Sequence, residues 1–219
     1  MEKLIKILIR YYPVFLHGLW GTLWLAAATV LLGTVLGLVV AILRMSRIKA
    51  FNTIAGIYIE ILRGTPILLQ LYFFWLMLPK IMPFKMTDTG AILVALIINA
   101  SAYISEIIRA GIAAVDPGQW EAARSLGLSE KNVMRRIILP QAVKNILPAL
   151  CNEFIAEVKG TSLASVFFVR ELTTAYKTVQ STTFLAVQPL LISGMIYLIV
   201  TTVLSWAVRR LERRLKASD

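Results

Sequence analysis

The chain of 219 residues has one cysteine, Cys151, and one histidine, His17. A single thiol cannot close an intramolecular disulfide or build an all-cysteine metal cage. His17 has no partner at ligand spacing and Cys151 has no histidine near it in sequence, so Cys151 reads as a small packed side chain. Charge is also scarce, at 16% of residues against about 25% in an ordinary soluble domain. Acid is the rarer sign, with 12 Asp and Glu against 23 Lys and Arg, a net charge of +11. What fills the chain is apolar: 58% hydrophobic residues and a mean hydropathy of +0.75. Such a composition excludes both intrinsic disorder and a single soluble core, and points to an integral membrane protein. The basic excess calls for an anionic partner, either nucleic acid or a membrane surface.

The apolar residues fall into runs. Nothing formally charged lies between Arg10 and Arg44, whereas a bilayer core needs only about 20 helical residues. Trp20 and Trp24 sit near one end of this run, where interfacial aromatics belong. Gly33 and Gly37 form a G-x-x-x-G pair that permits close helix approach or is simply small residues in a membrane helix. Lys3, Lys6 and Arg10 ahead of an apolar stretch, with Ala26-Ala27-Ala28, resemble a signal peptide. The run continues well past the alanines, so no cleavage is expected. Five spans are expected, at about 14–43, 54–79, 88–112, 145–168 and 186–208, in one all-α transmembrane domain covering 1–219. The fourth is interrupted by Glu153, Glu157 and Lys159.

Orientation follows from where Lys and Arg lie. With the C-terminus inside, segments 44–63, 109–144 and 209–219 are cytoplasmic and hold 15 of the 23 basic residues. Segments 1–13, 80–87 and 159–177 hold the rest, which places the N-terminus outside. The excess charge is then largely topology, with Arg209 to Lys216 set against anionic inner-leaflet lipid.

The longest hydrophilic stretch is 116–140, between the third and fourth expected spans. Asp116 is a good N-cap, Pro117 suits a first helical turn, and Gly127 suits a C-terminal stop near Leu126. Ser129 can cap a second helix running toward Leu139. A ten-residue helix with small alanines and an exposed Trp120 suits a partner's grip rather than a membrane. The plain alternative is a cytoplasmic loop with two helical turns.

The same stretch resembles the EAA signature of ABC importer membrane subunits. Glu121-Ala122-Ala123, three residues, Gly127, nine residues, then Ile137-x-Leu139-Pro140 matches every fixed position. IEILRGTPILLQ (59–70), AYISEIIRAGIAAVDPGQWEAARSLG (102–127), KGTSL (159–163) and RRLERRLK (209–216) are similar to the subfamily that imports polar amino acids. The resemblance covers essentially the whole chain and implies a type I importer permease, multi-pass in a bacterial cytoplasmic membrane. It implies a second permease subunit, two ATP-binding subunits that bind ATP and Mg, and an extracytoplasmic amino acid binding protein. It also makes Glu121, Ala122, Ala123, Gly127, Ile137, Leu139 and Pro140 coupling residues. No cofactor, metal or catalytic residue is expected in this chain, and the absent Walker A sequence, G-x-x-x-x-G-K-[ST], means that it does not hydrolyse ATP by that device.

Ionisable residues within apolar spans should be paired or line a cavity, because each costs at least about 2.5 kcal/mol there. Glu60 with Arg63, and Glu106 with Arg109, stand three apart and suit ion pairs at helix ends or a gate. Asn99 and Tyr103 in the third span, with Glu153 and Glu157 in the fourth, are expected along the substrate pathway. Glu153 and Glu157 share a helix face and suit a substrate ammonium or cationic group, a pairing with Lys159, or burial against a neighbouring helix.

Two rivals remain. Ala123, Gly127 and Val133 stand at helix-turn-helix offsets, but a 25-residue loop cannot supply the compact domain that DNA binding requires. An ATP-independent secondary transporter or channel would commonly show paired halves with broken helices, and no internal repeat is visible.

Overall fold

The computed structural model describes residues 2–216, and all of its described secondary structure is helical. The last three residues of the expected inner segment 209–219 lie outside it, as does Met1. Among the described residues, three helices are long and apolar enough to cross a membrane, and a sharply bent pair makes up to four.

Helix α1 spans Glu2–Arg44, beginning well before the expected 14–43 and passing through Pro13. At 1.5 Å per residue it is roughly 65 Å long, so one end projects far beyond a bilayer core of about 30 Å. Its inward face is unusually small: Gly18, Thr22, Ala26, Thr29, Gly33, Gly37 and Ala41 are all buried. Helix α4, Asp88–Ala113, lies along the later part of that face and begins at a Thr87 N-cap that accepts from the Gly90 N–H. A Cβ at Gly33 would stand 3.3 Å from the Ala100 Cβ, and one at Gly37 would stand 3.0 Å from the Ile104 Cγ2. The G-x-x-x-G pair therefore seats a helix of its own chain.

The expected span 54–79 is two helices, α2 (Lys49–Gly64) and α3 (Ile67–Ile81), meeting at 108°. Pro66 is the cause. It has no N–H to continue the helix, and it drives Thr65 into an extended conformation. The expected span 145–168 is also displaced. After α5 (Pro117–Ser125) and a single turn α6 (Glu130–Val133), a π turn at Met134–Ile138 leads straight into α7, Leu139–Gly160. A 3-10 turn, Thr161–Phe167, ends on Phe168 in the left-handed region. Helix α8, Leu172–Thr183, takes part of the expected outer loop, and α9, Val187–Lys216, holds the last expected span.

One buried cluster joins α1, α4, the 116–140 loop and α7 through Ala41, Ala100, Ile104, Val115, Ala123, Val133, Ile138 and Ile146. A second, around Leu25, Leu71, Ile92, Ala164 and Phe167, packs α3 and the 3-10 turn onto α1 and α4. Helices α4 and α7 cross at Gly111, where a Cβ would overlap the Ile146 side chain, and Asn145 donates to the Gly111 carbonyl at 3.4 Å. Gly111→Ala is expected to cost about 1–3 kcal/mol through overpacking, read as a lower melting temperature in detergent. Gly111→Ala with Ile146→Ala should lose less than the sum of the two single changes, because the methyl then occupies vacated space.

Candidate functional site

The 116–140 loop forms a built platform at one end of the bundle. Asp116 caps α5, accepting from the Gly118 N–H at 2.8 Å, and Pro117 opens the helix where a missing N–H costs nothing. At the other end Gly127 takes φ +75°, donating to the Arg124 carbonyl at 2.9 Å while Leu128 donates to Ala123 at 3.2 Å. These two bonds define a Schellman stop, in which Gly127 adopts a conformation that costs other residues energy. Ser129 stands at the N-cap of α6 as expected, but its side chain makes no cap bond.

The second helix does not stop near Leu139. Pro140 lacks the N–H that would bond Arg136, and its ring would press on that carbonyl. The π turn accommodates it, with the Leu139 N–H reaching back five residues to Met134. Loop and span are therefore one continuous helical rod from Glu130 to Gly160.

The faces of α5 differ from the sequence expectation in one respect. Trp120 is half-buried against the loop's own core, and Ala123 is 2% exposed beneath it, so neither is free for a partner. They sit there because positions three apart share a helix face and the bundle supplies an apolar surface under it. Glu121, Ala122 and Arg124 face outward, as do Leu139 and Pro140, while Ile137 is half-buried. Arg124 lies over the Trp120 ring at 5.7 Å. Sequence reading missed Glu130, which accepts from Arg124 at 3.2 Å and from Arg47 at 2.7 Å. It ties α5 and α6 to the connector between α1 and α2.

The expected ion pairs are rearranged. Glu106 takes a bidentate bond from Arg109, at 3.0 and 2.8 Å, and lies 3.8 Å from Arg63. Arg63 also covers the Tyr103 ring at 5.4 Å. The Glu60–Arg63 pair is not formed. Arg63 instead bridges α2 to α4, and Glu60 is exposed without an ion pair among the described residues.

Asn99 is buried and faces the α2–α3 bend. Its amide donates to the Gln70 Oε1 at 2.9 Å and to the Leu62 carbonyl at 3.4 Å. Gln70 in turn donates to Leu62 and Thr65, at 2.8 Å to the Leu62 carbonyl and 3.1 Å to that of Thr65. The two amides hold the carbonyls that the break leaves without helical donors. Gln70 was missed as a site residue. Its signal was a polar residue four positions after Pro66 in an apolar run.

On α7, Glu153 is half-buried. Glu157 is buried, and its Oε2 finds no hydrogen-bond partner among the described residues. Lys159 is exposed and forms no ion pair with either among the described residues. The four expected pathway residues divide accordingly: Asn99 supports the bend, Tyr103 meets Arg63, and the two carboxylates lie together on α7.

Comparison with known proteins places this architecture. Residues 33–217 match the family described as binding-protein-dependent transport system inner membrane component. The arginine transport system permease protein ArtQ of Bacillus subtilis is 37% identical over 211 residues, covering 96% of each chain. The glutamine transport system permease protein GlnP of Escherichia coli K12 is 37% identical over 205 residues, covering 93% of this chain and 94% of its own. A solved amino acid ABC transporter, crystallised with histidines, aligns with a TM-score of 0.90 at 43% identity over 94% of this chain and 96% of that one. The inward-facing MetNI methionine ABC transporter shares the fold at a TM-score of 0.77 and 20% identity. The chain belongs to the binding-protein-dependent transport system inner membrane component family. It is a permease subunit of an ABC importer, with the type I all-α fold.

Asn99→Leu leaves the buried Gln70 Oε1 without its donor, and Gln70→Leu leaves the Leu62 carbonyl only the long Asn99 bond; each is expected to cost about 1–3 kcal/mol. Because they serve one network, chemical unfolding in detergent should show the double variant losing clearly less than their sum.

Proposed function

We propose that the chain forms half of the membrane pathway of an importer for polar amino acids. It pairs with a second permease subunit, either its own copy or a paralogue. Two separate ATP-binding subunits beneath the 116–140 loop bind ATP and Mg and hydrolyse it. An extracytoplasmic binding protein delivers the amino acid on the opposite side. The platform geometry carries this reading: the loop offers Glu121, Ala122 and Arg124 on a short helix whose underside is fused to the bundle core.

A force on α5 then has two routes. Ala123 and Val115 press on α4, and the unbroken rod from Glu130 through the π turn carries motion into α7. Rigid coupling of this kind suits alternating access, in which closure of the ATPase pair becomes a helix rearrangement. The membrane side rests on where Lys and Arg lie. The 116–140 loop and the α1–α2 connector, joined by Arg47 and Glu130, are cytoplasmic with the C-terminus, and the N-terminus is outside.

Inside the membrane, Glu153 and Glu157 on α7 form the acidic wall of the pathway with Tyr103 beside Arg63, and Asn99 holds the bend that shapes it. An acidic wall suits a substrate ammonium or a cationic side chain, in keeping with the arginine permease among the relatives.

Glu121→Lys reverses the exposed charge at the centre of the platform. It should abolish co-purification with the ATPase subunits while the permease still folds, whereas an active complex containing no ATPase would refute the importer reading. Glu153→Gln should leave ATPase association intact and lower amino acid uptake into proteoliposomes by roughly tenfold or more, the loss typical of a desolvated polar contact.

A further inference from the structure

At the end of the bundle opposite the 116–140 loop, Phe168 is held in a conformation that bulky residues avoid. Its φ is 56°, and its side chain is 88% exposed. Its backbone closes the 3-10 turn, with the Phe168 and Val169 N–H groups donating to the Ser165 and Ala164 carbonyls, but the exposed ring packs no core, and such strain persists only where the surroundings over-determine it.

The surroundings do so from three sides. Beneath it, Gly21 of α1 lets the Arg170 carbonyl approach where any Cβ would overlap, and a Cβ at Gly18 would stand 2.7 Å from the Ala175 Cβ. Thr22 accepts from the Leu172 N–H at 3.0 Å. Following it, Glu171 is fully buried and accepts from the N–H groups of Thr173 and Thr174, the Thr174 hydroxyl and the Tyr197 hydroxyl. The single Thr174 hydroxyl proton is shared between that carboxylate and the Val169 carbonyl, which lies 2.7 Å away. The segment 168–174 is thus a rigid pedestal on α1, α8 and α9 that presents Phe168 and the exposed Arg170.

The charge around it is mostly positive. Lys80 near the end of α3, Lys85 on the α3–α4 connector, Lys159 near the end of α7, Arg170 on the pedestal and Lys177 on α8 are exposed. Of the acids nearby, Asp88 is exposed and accepts from the Trp75 indole at 2.8 Å, and Glu171 is buried. A cleft lined by Trp20, Trp24, Thr89, Phe168 and Arg170 lies alongside. A second copy of this chain meeting the patch symmetrically would set basic surface against basic surface. A bare arginine on a polar turn also does not suit hydrocarbon.

We infer that Phe168 and Arg170 form the docking point for an acidic face of the extracytoplasmic binding protein, Phe168 as the aromatic anchor and Arg170 as the charge that orients it. This rests on the importer reading above and deepens it. A rigid aromatic beside an arginine is the composition that dominates binding energy at protein interfaces, and a pre-ordered anchor binds without paying to be ordered.

The test uses the assembled transporter, with its ATPase subunits and cognate binding protein, in nanodiscs. Phe168→Gly removes the ring and relieves the backbone, so its melting temperature should hold or rise while binding-protein affinity falls roughly tenfold or more. Arg170→Glu should weaken binding similarly, and that loss should shrink as salt is raised. Basal ATP hydrolysis without binding protein should match wild type in both variants. Wild-type affinity in Phe168→Gly and Arg170→Glu would overturn the inference. So would a loss in either variant that is matched by changed retention on anionic vesicles, since the patch would then serve lipid. Loss of ATPase subunits from the wild-type complex would instead indict the importer reading itself.

Discussion

A polar backbone group in hydrocarbon has no water to turn to, and the architecture depends on how that constraint is met at its breaks. Pro66 turns the chain by 108° and frees carbonyls at the end of α2. Two buried side-chain amides, from Gln70 just beyond the break and Asn99 across on α4, take those carbonyls. The bend is therefore stitched to the helix that forms the bundle's centre, and Tyr58 adds a bond to the Ile98 carbonyl at 3.2 Å. Pro140 meets the same constraint differently. There the helix widens by one residue into a π turn, so the chain from Glu130 to the end of α7 stays a single rod.

Close helix approach is the second consequence. Lipid tails are as apolar as leucine, so helices gain little from hydrophobicity alone, and small residues that admit the neighbouring backbone do the packing. Gly18 and Gly21 seat the 168–174 pedestal, Gly33 and Gly37 seat α4, and Gly111 seats α7. Helices α1, α4 and α7 make one body, and the 116–140 loop is buried into it through Ala123, Val133 and Ile138. An ATPase pressing on α5 would move helices rather than a loose loop.

Much of this was legible in the sequence. The helical class, the first and last apolar runs, the Asp116 cap and the Gly127 stop are local signals, set by composition and by one residue's conformational preference. Less legible were features that need a partner distant in the chain. The Thr65-Pro66 pair was visible, but a long apolar run hid its effect. The Glu60–Arg63 spacing suggested a pair on one helix, yet Arg63 reaches Glu106, 43 positions on, because the bend brings α2 against α4. Trp120 looked like a partner's handle because the loop seemed free of the bundle, and Ala123 for the same reason. Glu130 and Glu171 were passed over because nothing local distinguishes a surface glutamate from one bonded to distant elements.

The scarcity of acid acquires a structural meaning. Of 12 acidic residues, Glu2, Asp88, Glu106, Asp116, Glu130 and Glu171 are committed to ion pairs, caps or hydrogen bonds that join elements or close helix ends. A chain this basic, with so few anions, uses half of them as internal fasteners, which leaves both ends of the bundle positive. Those with no such bond among the described residues then stand out. Glu121 faces outward from the platform, open to a partner, and Glu153 and Glu157 sit on α7 with no ion pair among the described residues. A carboxyl in an apolar span is costly to ionise without an internal partner unless a passing cationic group supplies the missing charge. That is the physical basis of the proposal that coupling runs through Glu121 and substrate passes beside Glu153 and Glu157.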